Sequence, residues 1–113
     1  NEIVLKLTIE VRARQNKFHE LYQTLQALLP MIRNEKGCLD CHTYQDMADE
    51  EVLFLSVQWK SLANLEHYMQ SESGSVLLGA IDLLSETARI GFDRDSSQQG
   101  IDALKKLRKK ISQ

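Results

Sequence analysis

Residues 3–12 alternate without a break, with Ile3, Leu5, Leu7, Ile9 and Val11 on one side and Lys6, Thr8, Glu10 and Arg12 on the other. A period of two is that of a strand with one face buried and one face wet. After Asn16, a residue type that caps helices, the period lengthens: Phe18, Leu21, Tyr22, Leu25, Leu28, Leu29 and Ile32 fall on one helical stripe. Pro30 lies inside that stripe and has no N–H for the carbonyl of Gln26. The spacing therefore predicts a bend or restart near Pro30 and an end at Gly37, a natural residue just beyond a helix C-terminus. Residues 38–46 return to alternation, placing Cys38, Asp40, His42 and Tyr44 on one face and Leu39, Cys41 and Thr43 on the other. A polar connection over 46–51 leads to residues 52–59, Val-Leu-Phe-Leu-Ser-Val-Gln-Trp, a strand whose two faces are both mostly apolar.

Ser61 is placed to cap a second helix carrying Leu62, Leu65 and Met69 on its inner face. Residues 71–74 interrupt it, a further helical stretch covers 75–84, and a last strand is expected around 86–92. Strand, helix, strand, strand, helix, strand is the split βαβ order of a ferredoxin-like α+β domain with an antiparallel sheet. Helices on one side of such a sheet leave the other side of residues 52–59 bare. A homodimer with its two sheets face to face, a dimeric α/β barrel, is the expected cover. The domain is read as residues 1–95. Residues 96–113 form an extension, a polar linker followed by Ile101, Leu104, Leu107 and Ile111 on a short, otherwise basic helix.

At 113 residues with 42% hydrophobic and 27% charged side chains, the chain fits one globular core and not a disordered polymer. No apolar run approaches the ~20 residues that cross a bilayer. The opening Asn-Glu-Ile-Val has no basic stretch followed by an apolar one, so a cytoplasmic location is expected. The net charge of −2 hides an asymmetry: residues 1–95 hold 9 Lys and Arg against 15 Asp and Glu, while residues 96–113 hold 5 against 1. An acidic body argues against nucleic acid as a partner, because neutralising phosphates needs a clustered basic surface. The basic helix is too short for more than marginal membrane binding, and is read as docked to the acidic body or across the dimer, with no membrane partner.

Cys38 and Cys41 have the spacing of a redox pair or of half a zinc site. In a strand, positions three apart face opposite ways, and there is neither a second cysteine pair nor a close histidine pair, so neither a metal nor a redox role is expected. His19 and His67 fall off the apolar stripes of their helices and should be solvated. His42 shares a strand face with Tyr44, in a polar site or simply at a dimer seam. Trp59 closes the third strand where sheet meets helix, and Tyr68 sits at the edge of the next helix stripe. Spacing leaves open whether these two line an aromatic cavity or belong to the core.

Residues 34–46, Asn-Glu-Lys-Gly-Cys-Leu-Asp-Cys-His-Thr-Tyr-Gln-Asp, are followed by residues 52–71, Val-Leu-Phe-Leu-Ser-Val-Gln-Trp-Lys-Ser-Leu-Ala-Asn-Leu-Glu-His-Tyr-Met-Gln-Ser. The Glu-x-Gly-Cys turn, the strand ending Trp-Lys-Ser and the Leu-Glu-His-Tyr helix, in that order, resemble the antibiotic biosynthesis monooxygenase superfamily over residues 3–93. The resemblance implies a dimeric α/β barrel and a cofactor-free oxygenase that turns a small aromatic quinol or anthrone into a quinone with O2. On that resemblance Trp59 would stack on the ring or face the oxygen, Tyr68 would hydrogen-bond the substrate, and His42 would be a weaker candidate for the base. Departures are visible too. Ser73 stands about where many relatives carry histidine, residues 76–80 lack the histidine of the haem-degrading branch, and Gln58 replaces a frequent glutamate. A dimeric ligand-binding or stress-response domain without catalysis is the alternative that these departures keep open.

Overall fold

A computed structural model describes residues 4–94 and 100–111, without the side chains of Lys110 and Ile111, so Ile3, residues 96–99 of the expected linker and the apolar side chain of Ile111 lie outside the described residues. The order is β1 (Leu5–Ala13), α1 (Phe18–Arg33), β2 (Cys38–Gln45), β3 (Val52–Trp59), α2 (Leu62–Met69), α3 (Glu72–Leu84), β4 (Ser85–Arg94) and α4 (Ile101–Ile111). The four strands form one sheet in the order β2-β3-β1-β4, each neighbouring pair antiparallel, which is the ferredoxin-like arrangement.

The alternation of β1 becomes burial: Leu7, Ile9, Val11 and Ala13 lie under the helices, joined from β3 by Leu53, Leu55, Val57 and Trp59. The stripe of α1 meets them through Leu21, Leu25, Leu28 and Ile32. Each of the Leu, Ile and Val side chains among them contributes roughly 1.5–3 kcal/mol by leaving water. Together they hold the helices on one face only.

Four local expectations are corrected. Asn16 is not the cap of α1; it adopts φ +65, the left-handed conformation that asparagine tolerates, within a tight turn, and Lys17 occupies the cap position without a side-chain hydrogen bond. The helix runs unbroken past Pro30, which lies on its exposed side. It stops at Arg33, with Asn34 as C-cap, four residues before Gly37. Gly37 instead has φ +86 at the entry to β2, and any Cβ there would collide with the side chain of Asn64. The interruption between α2 and α3 is also shorter than expected, because Ser71 caps α3 by accepting from the Gly74 N–H at 3.1 Å. Ser61 caps α2 likewise, through the Asn64 N–H at 3.2 Å.

The faces of β2 are corrected as well. Cys38 pairs with Trp59 but Asp40 pairs with Gln58, so the register shifts at Leu39, which is left exposed as a bulge. Cys38 and Cys41 therefore lie on the same, helix-facing side. Arg33 anchors this stretch by donating two hydrogen bonds to the Cys41 carbonyl, at 2.9 and 2.7 Å. The bare face of the sheet is less oily than its central strand implied: beside Val52 and Phe54 it carries Ser56 and Gln58, flanked by Lys6, Thr8, Glu10 and Arg12. Among the described residues no helix is long and apolar enough to cross a membrane.

Candidate functional site

The end of β3 and the corner between α2 and α3 are joined by one stack of side chains. Trp59 and Tyr68 are both buried, with ring centroids 5.3 Å apart and planes 31° from parallel. The Tyr68 hydroxyl and the Ser73 hydroxyl share a buried hydrogen bond at 3.0 Å, which ties α2 to α3 across the turn. Burial pushes the Tyr68 phenol above its ordinary pKa, and the bond to Ser73 only partly opposes this. The indole N–H of Trp59 is buried and has no acceptor among the described residues. An unpaired buried donor costs roughly 1–3 kcal/mol, which burial of the rest of the indole offsets. Gly74 lets this corner close, since a Cβ there would strike the backbone carbonyl of Tyr68.

The structure brings Trp59 and Tyr68 together and leaves His42 out. His42 pairs with Ser56 on the bare face of the sheet, exposed, its ring 6.1 Å from that of Tyr44, whereas Trp59 lies on the helix-facing side. His19 and His67 are exposed. Both cysteines are free thiols. Burial, reinforced by its neighbour Cys38, pushes the Cys41 thiol up to about 12, so it is a packed, protonated side chain at neutral pH and a poor nucleophile. No group of three or more His, Cys, Asp and Glu side chains placed to hold a metal occurs among the described residues.

Open space lies beside the stack, not within it. The helix-facing side of β4 carries Ala88, Ile90 and Phe92, opposite Val11, Ile9 and Leu7 of β1. Among the described residues no helix covers this strip, and Ile90 and Phe92 are 51% and 63% exposed. Between it and the flanks of α2 and α3 runs a groove of about 600 Å³, walled by Leu62, Leu65, Met69, Leu78 and Ile81. Glu66 and Gln70 are the polar side chains of its lining. They lie one helical turn apart, Glu66 on α2 and Gln70 at its C-cap, so a carboxylate and an amide stand on one side of an otherwise apolar channel. A hollow of about 680 Å³ at the far end of the sheet is of another kind: its Arg12 already donates to Asp49 at 3.0 Å and to Glu86 at 2.9 Å.

The groove was not anticipated from the sequence, although its parts were visible. Leu62, Leu65 and Met69 were expected on the inner face of α2, and Glu66 and Gln70 adjoin that stripe. What could have pointed to them is the alternation of Ala88, Ile90 and Phe92 on a strand at the edge of the sheet.

The model of the antibiotic biosynthesis monooxygenase family matches residues 5–73, from β1 to the start of α3. The chain belongs to this family. The matched span holds Trp59, Glu66, Tyr68 and Gln70, and ends before β4 and α4. No curated protein matches the chain. Among solved structures, a Pseudomonas aeruginosa protein is 24% identical with a TM-score of 0.79, over 85% of this chain and 97% of its own. A Deinococcus radiodurans protein described as a candidate antibiotic biosynthesis monooxygenase is 16% identical, with a TM-score of 0.78 over 86% of this chain and 97% of its own. A conserved Methanosarcina mazei protein is 18% identical, with a TM-score of 0.77 over 83% and 94%. At such identities these structures speak for the fold of this family member and for nothing finer.

Proposed function

We propose that this member of the family is a cofactor-independent monooxygenase that binds a small aromatic quinol or anthrone in the groove over β4. The observation that carries the reading is the groove itself. Its volume of about 600 Å³ falls in the range of small-molecule sites, roughly 300–1,000 Å³, and its walls are apolar with a carboxylate on one side. A flat ring would lie against Ile90 and Phe92 with its hydroxyl toward Glu66 and Gln70.

In this reading Glu66 takes the acidic proton of the substrate, and Gln70 donates to the resulting oxyanion. The electron-rich anion passes one electron to O2, and the two radicals join as a carbon–peroxide bond. Loss of the second hydrogen from that carbon breaks the O–O bond: one oxygen stays as the new carbonyl and the other leaves as water. The substrate supplies all the electrons. Trp59 and Tyr68 act as positioning residues that hold the α2–α3 corner, and His42, across the sheet, takes no part. The homodimer belongs to the same proposal. Tyr44 is 55% exposed on the bare face, next to the half-buried Phe54, and the pair offers a second copy an aromatic contact.

A non-catalytic ligand-binding domain is favoured by one feature: the Tyr68 hydroxyl is committed to Ser73 and does not line the groove. Oxygen uptake with a panel of quinols and anthrones separates the two readings. Turnover in the wild type that falls by at least tenfold in Glu66→Gln, with binding retained, is expected for the monooxygenase (a loss of about 1.4 kcal/mol or more in transition-state stabilisation). Tight binding of panel members without oxygen uptake would replace it by the binding domain.

A further inference from the structure

We infer that helix α4 of a second copy of this chain lies over the groove and completes its wall. The inference rests on the reading of the groove as the ligand site, and adds a partner to it. Two apolar strips stand uncovered in the same chain. On α4, Ile101, Leu104 and Leu107 are 66%, 66% and 56% exposed along one stripe. Along β4, Ala88, Ile90 and Phe92 are exposed as a row on the side where the sheet has no helix.

The two strips match in length and in charge. From Ile101 to Leu107 a helix rises about 9 Å, and from Ala88 to Phe92 a strand advances about 13 Å, so the stripe of α4 is short enough to roof the strip from the rim while the space between the two is left to the ligand. The flank of α4 is basic, with Lys105 and Lys106 beside the stripe, whereas the groove wall carries Glu66 and the body as a whole is acidic. An amphipathic helix in an apolar groove with opposite charges beside it is a recurrent mode of recognition.

A second copy is the occupant the structure favours, because α4 of the same chain is present and both strips are nevertheless bare. The strand order places β4 at the edge of the sheet, so the groove opens at a rim that a helix from a copy packed on the bare face can reach. A two-fold exchange then buries both strips twice with identical contacts and leaves no unpaired copy. It also closes the groove to water, as an oxyanion intermediate requires.

Cross-linking tests this directly. Ile90→Cys and Leu104→Cys are made separately in a Cys38→Ser background, which retains only the buried Cys41. The two variants are co-expressed with different tags and oxidised under mild conditions. A covalent dimer carrying both tags, absent when either variant is expressed alone, is the expected result. Linkage only within one chain, seen as a fast-migrating monomer of the double variant Ile90→Cys/Leu104→Cys, would overturn the inference, as would no linkage at all. A second measurement removes dependence on disulfide geometry. Leu104→Asp/Leu107→Asp should raise anilinonaphthalene sulfonate fluorescence several-fold without lowering Tm, and unchanged fluorescence would count against an occupied groove. Linkage without quinol turnover would leave α4 in place and remove the monooxygenase reading; turnover without linkage would do the reverse.

Discussion

Along the helix-facing side of the sheet, β3 and β4 carry the same apolar alternation and meet opposite fates. Leu53, Leu55, Val57 and Trp59 are at most 3% exposed, whereas Ile90 and Phe92, on the same side and two strands away, stand half open to water. The difference lies in what sits above them. The stripe of α1 and the stack of Trp59, Tyr68 and Ser73 close the first half, while α2 and α3 only border the second. A pattern in a strand thus tells which face is apolar and is silent on whether that face serves the core or a ligand. The closed half makes the fold stable, and the open half is where the proposed ligand site lies.

The sharpest way to break this contrast is to truncate one large ring in each half. Trp59→Ala should cost about 3–5 kcal/mol, as removal of a fully buried aromatic does. Phe92→Ala, at low protein concentration, should cost no more than about 0.5–1 kcal/mol because its ring is already largely wet. Urea denaturation of both reads the difference. Similar costs would mean that β4 is covered in the isolated protomer and that the groove does not exist.

Two glycines of α3 make the same comparison within one helix. At Gly74 a Cβ meets the Tyr68 carbonyl, a backbone atom that cannot move aside, so Gly74→Ala should lose about 1–3 kcal/mol by opening the α2–α3 corner. At Gly79 nothing lies within 4 Å of the added carbon. Gly79→Ala should therefore gain up to about 1 kcal/mol through helix propensity. Opposite signs in Tm are the expected outcome, and a loss at both positions would mean that the outer flank of α3 is also packed.

The elements were largely legible because their periods survive folding. The alternation read over residues 3–12 becomes β1 from Leu5 onward, and the stripe from Phe18 to Ile32 is α1. What was lost turned on single residues or on pairing. One unpaired residue, Leu39, moves Cys38 to the face of Cys41, and no Gly or Pro marks the bulge. Asn16 is as apt for the left-handed turn it takes as for the cap it was expected to form, and only the path of the chain decides between them. His42 was offered with Trp59 and Tyr68 because strand pairing, which puts it across the sheet, is not written in either strand alone. The groove escaped for the same reason: it exists because β4 falls at the edge of the sheet, a fact of topology.

Filling the open half tests function without touching the closed one. Leu78 lines the groove and is 52% exposed, so Leu78→Trp has room to turn inward over Ile90 and Phe92. Binding of a quinol or anthrone should weaken by about tenfold or more, some 1.4 kcal/mol. The melting temperature should stay within about 2 °C, since no core contact is lost. Unchanged affinity, measured by calorimetry, would move the ligand site elsewhere.

The mildest expected effect appears only when pH is raised, and it belongs to the closed half. Burial lifts the Cys41 thiol from 9.0 to about 12 and raises the Tyr68 phenol as well. In both cases the folded state holds a proton that the unfolded chain releases sooner. Their contribution to stability is therefore complete below about pH 9 and declines as pH climbs toward the folded-state values. Chemical denaturation at pH 7, 9 and 10 should show a small loss by pH 9, where half of the unfolded thiol is ionised, and a larger one in the last interval. Cys41→Ala should shrink that alkaline loss while lowering stability at pH 7 slightly through lost packing. The open half offers no such buried acid, since the acidic side chain of the groove, Glu66, is exposed. If Cys41→Ala left the alkaline slope unchanged, the thiol would have to be more accessible than its packing against β3 allows, and reaction with a thiol reagent at pH 8 would then be fast.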